Sequence, residues 1–160
     1  AGTTPGRGTI TALFTVLVEG DDMNEPIADA VRGILDGHIV LTRQLAHRNH
    51  YPSVDILQSI SRVMVDIVPE EQVLAARRLC EVTSVHRNAE DLINIGAYQR
   101  GSNPEIDLAI EMIPTINAFL KQGIREAVPY ENSIEQMTAI ARQAAPRKAA
   151  GGAAAGGGAK

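Results

Sequence analysis

The sequence is poor in the residues that most often advertise chemistry. Its 160 residues include one cysteine, Cys80, no tryptophan and only 3% aromatic residues. A single cysteine excludes an internal disulfide and any cysteine-rich zinc site, fits a reducing compartment, and leaves Cys80 as a small helix residue that packs. With aromatics scarce, a core must come from Ile, Leu, Val, Ala and Met, and each aromatic can be examined singly. No apolar run approaches the roughly 20 residues of a membrane span, and no basic segment followed by an apolar one opens the chain, which predicts a cytoplasmic protein. The net charge of -4, with no basic stripe before the tail, argues against nucleic acid as a partner. Neither G-x-x-x-x-G-K-[ST] nor a G-x-G-x-x-G after a strand occurs, so no phosphate-cradling loop is assignable. His38, His47, His50 and His86 lack the spacing of a metal site on one helix face and read as ordinary surface histidines.

What is present is enough apolar sequence, 44% of a 17.1 kDa chain, for one domain or a piece of a larger one. "AGTTPGRG" reads as a loop, being rich in Gly, Thr and Pro. "TITALFTVLVE" is β-branched and apolar with no charge before Glu19, the pattern of a strand buried on both faces of a parallel sheet. "GDDMNEP" breaks it, and Pro26 opens a helix through "IADAVRGIL", with Asn24 or Glu25 near its free N–H groups. A short strand, "GHIVLT", follows. One or two helical turns in "RQLAHRNH" then end at Tyr51-Pro52, because the residue before a proline is pushed out of the helical region. This order is α/β.

Beyond Arg62 the texture turns helical. "PEEQVLAARRLCEVTSVHRNAEDLINI" carries Val73, Leu74, Leu79, Val82 and Val85 at near-helical spacing and predicts a long helix with room for one break. "GAYQRGSNPEID" interrupts it, and Asn103 is placed to cap a helix whose first turn holds Pro104, Glu105 and Asp107. Pro114 is expected to kink or divide that helix before "TINAFLKQGI". "SIEQMTAIARQA" predicts a last helix, and "APRKAAGGAAAGGGAK", without a large apolar residue, predicts a disordered tail. The sum is half of an α/β sheet followed by a helical bundle. A sheet of two or three strands would have open faces and edges, which raises the expectation that an upstream part is absent.

Three places could carry chemistry. Asp21 and Asp22 lie at a strand end, where α/β proteins place functional loops, and equally suit a solvated acidic turn. Tyr51 could be a core aromatic or a platform for a planar ligand. Arg62, within two residues of Ile60 and Val63, must meet a carboxylate or reach past the core to an edge, where it could meet phosphate.

"TVLVEGDDMNEPIADAVRGILDGHIVL", "NHYPSVDILQSISRVM" and "INAFLKQG" closely resemble the C-terminal half of the flagellum-specific type III protein-export ATPase, over roughly residues 8 to 142. Injectisome secretion ATPases share much of this pattern, and the catalytic subunit of rotary ATP synthases shares its outline. The resemblance implies that residues 1–66 are the C-terminal portion of a RecA-like parallel-sheet nucleotide-binding domain, 67–143 a helical domain and 144–160 a tail. It further implies a homohexamer that hydrolyses ATP with Mg2+ at subunit interfaces to drive export of flagellar proteins. Within "SISR", Arg62 would be the arginine finger offered to the neighbouring subunit. Tyr51 would pack on adenine, and Phe119, a weaker correspondence, would help close that pocket.

Asp21, Asp22, Asn24 and Glu25 resemble a loop that faces the central stalk. Arg100 and two glycines stand where the ATP synthase subunit carries clustered carboxylates, which puts torque transfer through that loop in doubt. Implied partners are a coiled-coil stalk protein, a stator-like regulatory protein, export chaperones and their substrates, at the cytoplasmic face of the membrane export gate. The family's phosphate-binding loop, magnesium-coordinating aspartate and catalytic glutamate would all lie upstream of residue 1, so that this chain alone would be inactive. Two other readings stand beside this one: a non-catalytic docking module for the stalk protein or chaperones, and an injectisome ATPase.

Overall fold

Three long helices dominate, and each begins where its sequence supplies a start signal. The structure, a computed structural model, describes residues 2–145 apart from 7, 19, 21, 23 and 24. Before the long helices come β1 (Gly2–Thr4), β2 (Gly8–Ile10), α1 (Pro26–Ile34), β3 (Gly37–His38), α2 (Arg43–His47), β4 (Ile60–Ser61) and α3 (Met64–Ile67). The bundle follows as α4 (Glu70–Asn94), α5 (Pro104–Leu120) and α6 (Tyr130–Gln143).

The bundle matches the helical periodicity. α4 follows Pro69, which lacks an N–H to orphan, and puts Glu70 and Glu71 in its first turn, where the helix dipole favours negative charge. It runs unbroken for 25 residues. In α5 the Asn103 side chain accepts from the amides of Glu105 and Ile106, so the expected cap is in place. Pro114 does not divide α5. The assigned helix continues through it to Leu120, because packing outweighs the loss of one backbone donor. Leu79 and Val82 of α4, Ala109, Met112 and Ile116 of α5, and Ile140 of α6 form one buried cluster with Ala144. Val85, Leu108, Phe119, Leu120 and Met137 pack around it.

The sheet departs from expectation. The described strands pair only antiparallel: β1 with β2, and β3 with β4. Residues 11–18 form no strand, and Leu13, Phe14 and Leu17 are 94%, 75% and 93% exposed. A strand exists only through ladder bonds to a neighbour, and no described strand pairs with these residues. "GHIVLT" likewise keeps only β3 and a bridge from Leu41 to Val54 as formal strand structure. Its backbone is nevertheless paired along the returning chain. Arg62 N donates to Asp36 O at 2.8 Å, Asp55 N to Val40 O at 2.8 Å and Thr42 N to Ser53 O at 3.0 Å. Gly37 permits the closest approach of this strip, since a Cβ there would lie 2.6 Å from Ile60 O.

Candidate functional site

The segment from His50 to Arg62 leaves the end of α2, turns under α4 and returns through β4. Its two ends carry two of the sequence-predicted site residues. Asp55, in the middle, organises the turn: its Oδ1 accepts from Leu57 N at 2.9 Å and Gln58 N at 3.3 Å, and its Oδ2 accepts from Gln58 Nε2 at 2.9 Å. Ser59 Oγ donates to Asp55 O at 2.7 Å while accepting from Val40 N at 3.0 Å. The Arg87 guanidinium reaches down from α4 with both terminal nitrogens, 3.0 and 3.1 Å from the two carboxylate oxygens. Burial pushes the Asp55 carboxyl up, but the hydrogen bonds from Arg87, Gln58 and Leu57, with the Arg87 charge, outweigh it and hold the group below the usual aspartate range.

Arg62 is exposed at the far end of this segment. Its Nη2 donates to the Arg32 carbonyl in the last turn of α1 at 3.0 Å. That carbonyl carries the negative end of the helix dipole, so it orients a cation without neutralising it. The partner is thus a main-chain oxygen and not the carboxylate that the sequence left open.

Tyr51 is 51% exposed, which removes the core-aromatic reading. Its carbonyl accepts from Gln122 N at 2.8 Å, joining this segment to the residues just after α5. Phe119, in the last turn of α5, packs against the bundle core. The structure therefore brings Tyr51 beside the end of the Phe119 helix while giving Phe119 a packing role.

Asp22 and Glu25 precede α1, where Glu25 N donates to Asp22 O at 3.1 Å. Glu25 occupies the N-cap but makes no side-chain cap bond. Asp21 and Asn24 lie outside the described residues. Arg100 is exposed between α4 and α5, on a loop closed by Asp107, which accepts from Tyr98 Oη at 2.9 Å and Gly101 N at 2.8 Å.

Sequence reasoning missed Asp55, Arg87 and the burial of His50. His50 is only 6% exposed and not a surface histidine. It lines a cavity of about 100 Å³ with Asp55, His86, Arg87, Glu90 and Asn117. Its Nε2 is buried there without a hydrogen-bond partner. Burial first, then the nearby Lys121 charge, lowers its pKa and favours the neutral ring. A local signal for Asp55 existed, because an aspartate followed two residues on by an exposed amide is an Asx turn. Nothing local pointed to Arg87, 32 residues away.

Residues 68–139 match the family described as T3SS EscN ATPase C-terminal domain, and residues 1–61 match the ATP synthase alpha/beta family, nucleotide-binding domain. The flagellum-specific ATP synthase of Bacillus subtilis (strain 168) is 57% identical over 134 residues, which is 84% of this chain and 31% of the relative. The chain belongs to the flagellar and type III secretion ATPase family. Within that family it also resembles the type 3 secretion system ATPase of Pseudomonas syringae pv. syringae, 43% identical over 137 residues, covering 86% of this chain and 30% of the relative. Among solved structures it superposes, with a TM-score of 0.78 and 43% identity, on the assembled ATPase EscN in complex with its central stalk EscO from enteropathogenic E. coli. That match covers 88% of this chain and 33% of the EscN chain. The chain thus spans about a third of the length of the family members it matches.

Proposed function

We propose that this chain works as the C-terminal part of a flagellar protein-export ATPase, a cytoplasmic homohexamer that hydrolyses ATP at its subunit interfaces. The observation that carries this reading is Arg62, an exposed guanidinium held at the β3–β4 edge by one main-chain oxygen. Such a group is oriented yet keeps its charge, which suits the stabilisation of a phosphoryl group transferring on a neighbouring subunit. Tyr51 offers an exposed ring for stacking on adenine. Phe119 shapes the wall behind it from the bundle core.

The parallel RecA-like sheet belongs to the same proposal. Residues 11–18, which pair with no described strand in this chain, would join that sheet in the full-length ATPase, a role supported by the exposed apolar side chains of Leu13, Phe14 and Leu17. One ATP would stack on Tyr51 of this chain, and Arg62 would reach the ATP bound by the neighbouring subunit. Mg2+ would accompany the ATP in the full-length hexamer.

Asp21, Asp22, Asn24 and Glu25 would face the central pore, and Arg100 a coiled-coil stalk, by analogy with the EscN assembly and its stalk EscO. A stator-like regulator and the export chaperones with their substrates complete the expected partners, at the cytoplasmic face of the export gate. No described helix is long and apolar enough to cross a membrane. The 57% identity to a flagellar relative against 43% to an injectisome one favours the flagellar assignment.

The test is Arg62→Ala in the full-length ATPase. Turnover should fall by about a thousandfold while ATP binding persists, as expected when a trans-acting arginine is removed. Wild-type turnover in that variant would refute the reading.

A further inference from the structure

Asp55 and Arg87 join the segment that carries the two nucleotide-facing candidates to α4 of the helical bundle. The Asp55 side chain is 5% exposed, whereas that of Arg87 is 43% exposed and stands on α4. The carboxylate receives two backbone amides, one side-chain amide and a two-pronged guanidinium. Planar, two-pronged pairing fixes direction as well as distance, which a single charge contact does not.

Asp55 lies four residues after Tyr51 and seven before Arg62. Three further bonds tie the ends of this segment: Gln122 N after α5 donates to Tyr51 O, Arg62 Nη2 to Arg32 O of α1, and Arg62 N to Asp36 O. On the bundle side, Arg48 pairs with Glu90 of α4 at 2.8 Å, one helical turn beyond Arg87. A cavity of about 100 Å³ lies beside His50 between this segment, α4 and α5, so apolar packing there is incomplete.

We propose that the Asp55–Arg87 pair is a latch that ties the positions of Tyr51 and Arg62 to that of α4. Any displacement of the helical bundle then reaches the nucleotide interface through this contact. Asp55 and Arg87 are positioning residues, and the inference rests on the reading of Tyr51 and Arg62 as nucleotide-facing groups. The latch carries information in both directions, since a contact that moves Arg62 when α4 moves must also move α4 when Arg62 engages a phosphate.

The test uses the full-length hexamer with Arg87→Gln, Asp55→Asn, Arg62→Ala and the double variant Arg87→Gln/Arg62→Ala. A fluorescent ATP analogue gives Kd, steady-state hydrolysis gives kcat, and melting temperature with assembly mass reports the fold. Both latch variants should weaken nucleotide binding and lower kcat, each on the order of tenfold, as misplacement of a positioned group does. In the Arg62→Ala background Arg87→Gln should lower kcat little further, because the group it positions is gone.

Fully additive kcat losses, or folded latch variants with wild-type Kd and kcat, overturn the proposal. Asp55→Asn is nearly isosteric and keeps an oxygen for the Leu57 amide, so it supplies the same readout if Arg87→Gln fails to assemble. An Arg62→Ala variant with normal kcat would remove the arginine's role and leave the latch judged through Tyr51, on Kd alone.

Discussion

His50 and Asp55 hold the same segment in place with opposite electrical requirements. His50 is buried with the neutral ring favoured, among Arg48, His86, Arg87, Glu90, Asp55 and Lys121. Asp55 is buried as a carboxylate. Both have folded-state pKa values below those of the unfolded chain, so in both cases the unfolded state takes up protons first and stability is lost as pH falls. For His50 the loss begins below its unfolded value of about 6.5, and for Asp55 below about 3.9. Urea denaturation of the chain should show stability falling as pH drops below about 6.5, and His50→Gln should flatten that fall while leaving the acid limb below about pH 4. An unchanged slope in His50→Gln would show that another group titrates there. Cys80 responds differently: burial raises its thiol, and its Sγ lies 4.0 Å from Ile56 O, a packing role consistent with its helical position.

At the level of elements, local rules were legible and partnership was not. The starts of α1 and α4 at proline, the Asn103 cap and the long apolar period of α4 could be read because each depends on residues within a turn or two. The strand expected over 9–19 does not form over 11–18, since an apolar pattern states what must be covered but not by what. β3 and β4 are two residues each and owe their pairing to a close approach that Gly37 allows. Gly37→Ala should drive a methyl into the Ile60 carbonyl and cost about 1–3 kcal/mol, the usual range for overpacking. Because this pair carries Arg62, turnover in the hexamer should fall in the same variant. Wild-type melting temperature and wild-type turnover in Gly37→Ala would show that the strip can separate without consequence.

Across the whole molecule, two regions differ in how complete they are. α4, α5 and α6 close a core around Ile116, which is fully buried, and tie their surface with Arg142–Glu71 at 2.7 Å and Arg78 Nε to Ala144 O at 2.8 Å. The stretch before α1 exposes most of its large apolar side chains. Ile116→Ala should therefore destabilise the bundle by about 2–5 kcal/mol in chemical denaturation, the range for truncating a buried aliphatic. A loss below about 1 kcal/mol would mean that the bundle is not the cooperative unit. The site was legible only in part. Tyr51 and Arg62 could be singled out as residues out of place in an apolar setting, but their shared anchor at Asp55 and Arg87 joins chain segments 32 residues apart.

α4 also has a mechanical consequence. Arg87 stands 17 residues from the first residue of α4, and Asn94 stands 24 residues from it. At 1.5 Å of rise per residue, a rigid rod pivoting at Glu70 would carry a push at its Arg100 end to Arg87 with roughly 0.7 of its amplitude. The gearing is nearly direct, so under the proposed function a nudge of about 1 Å at that tip would, by this lever, shift the segment between Tyr51 and Arg62 by roughly 0.7 Å.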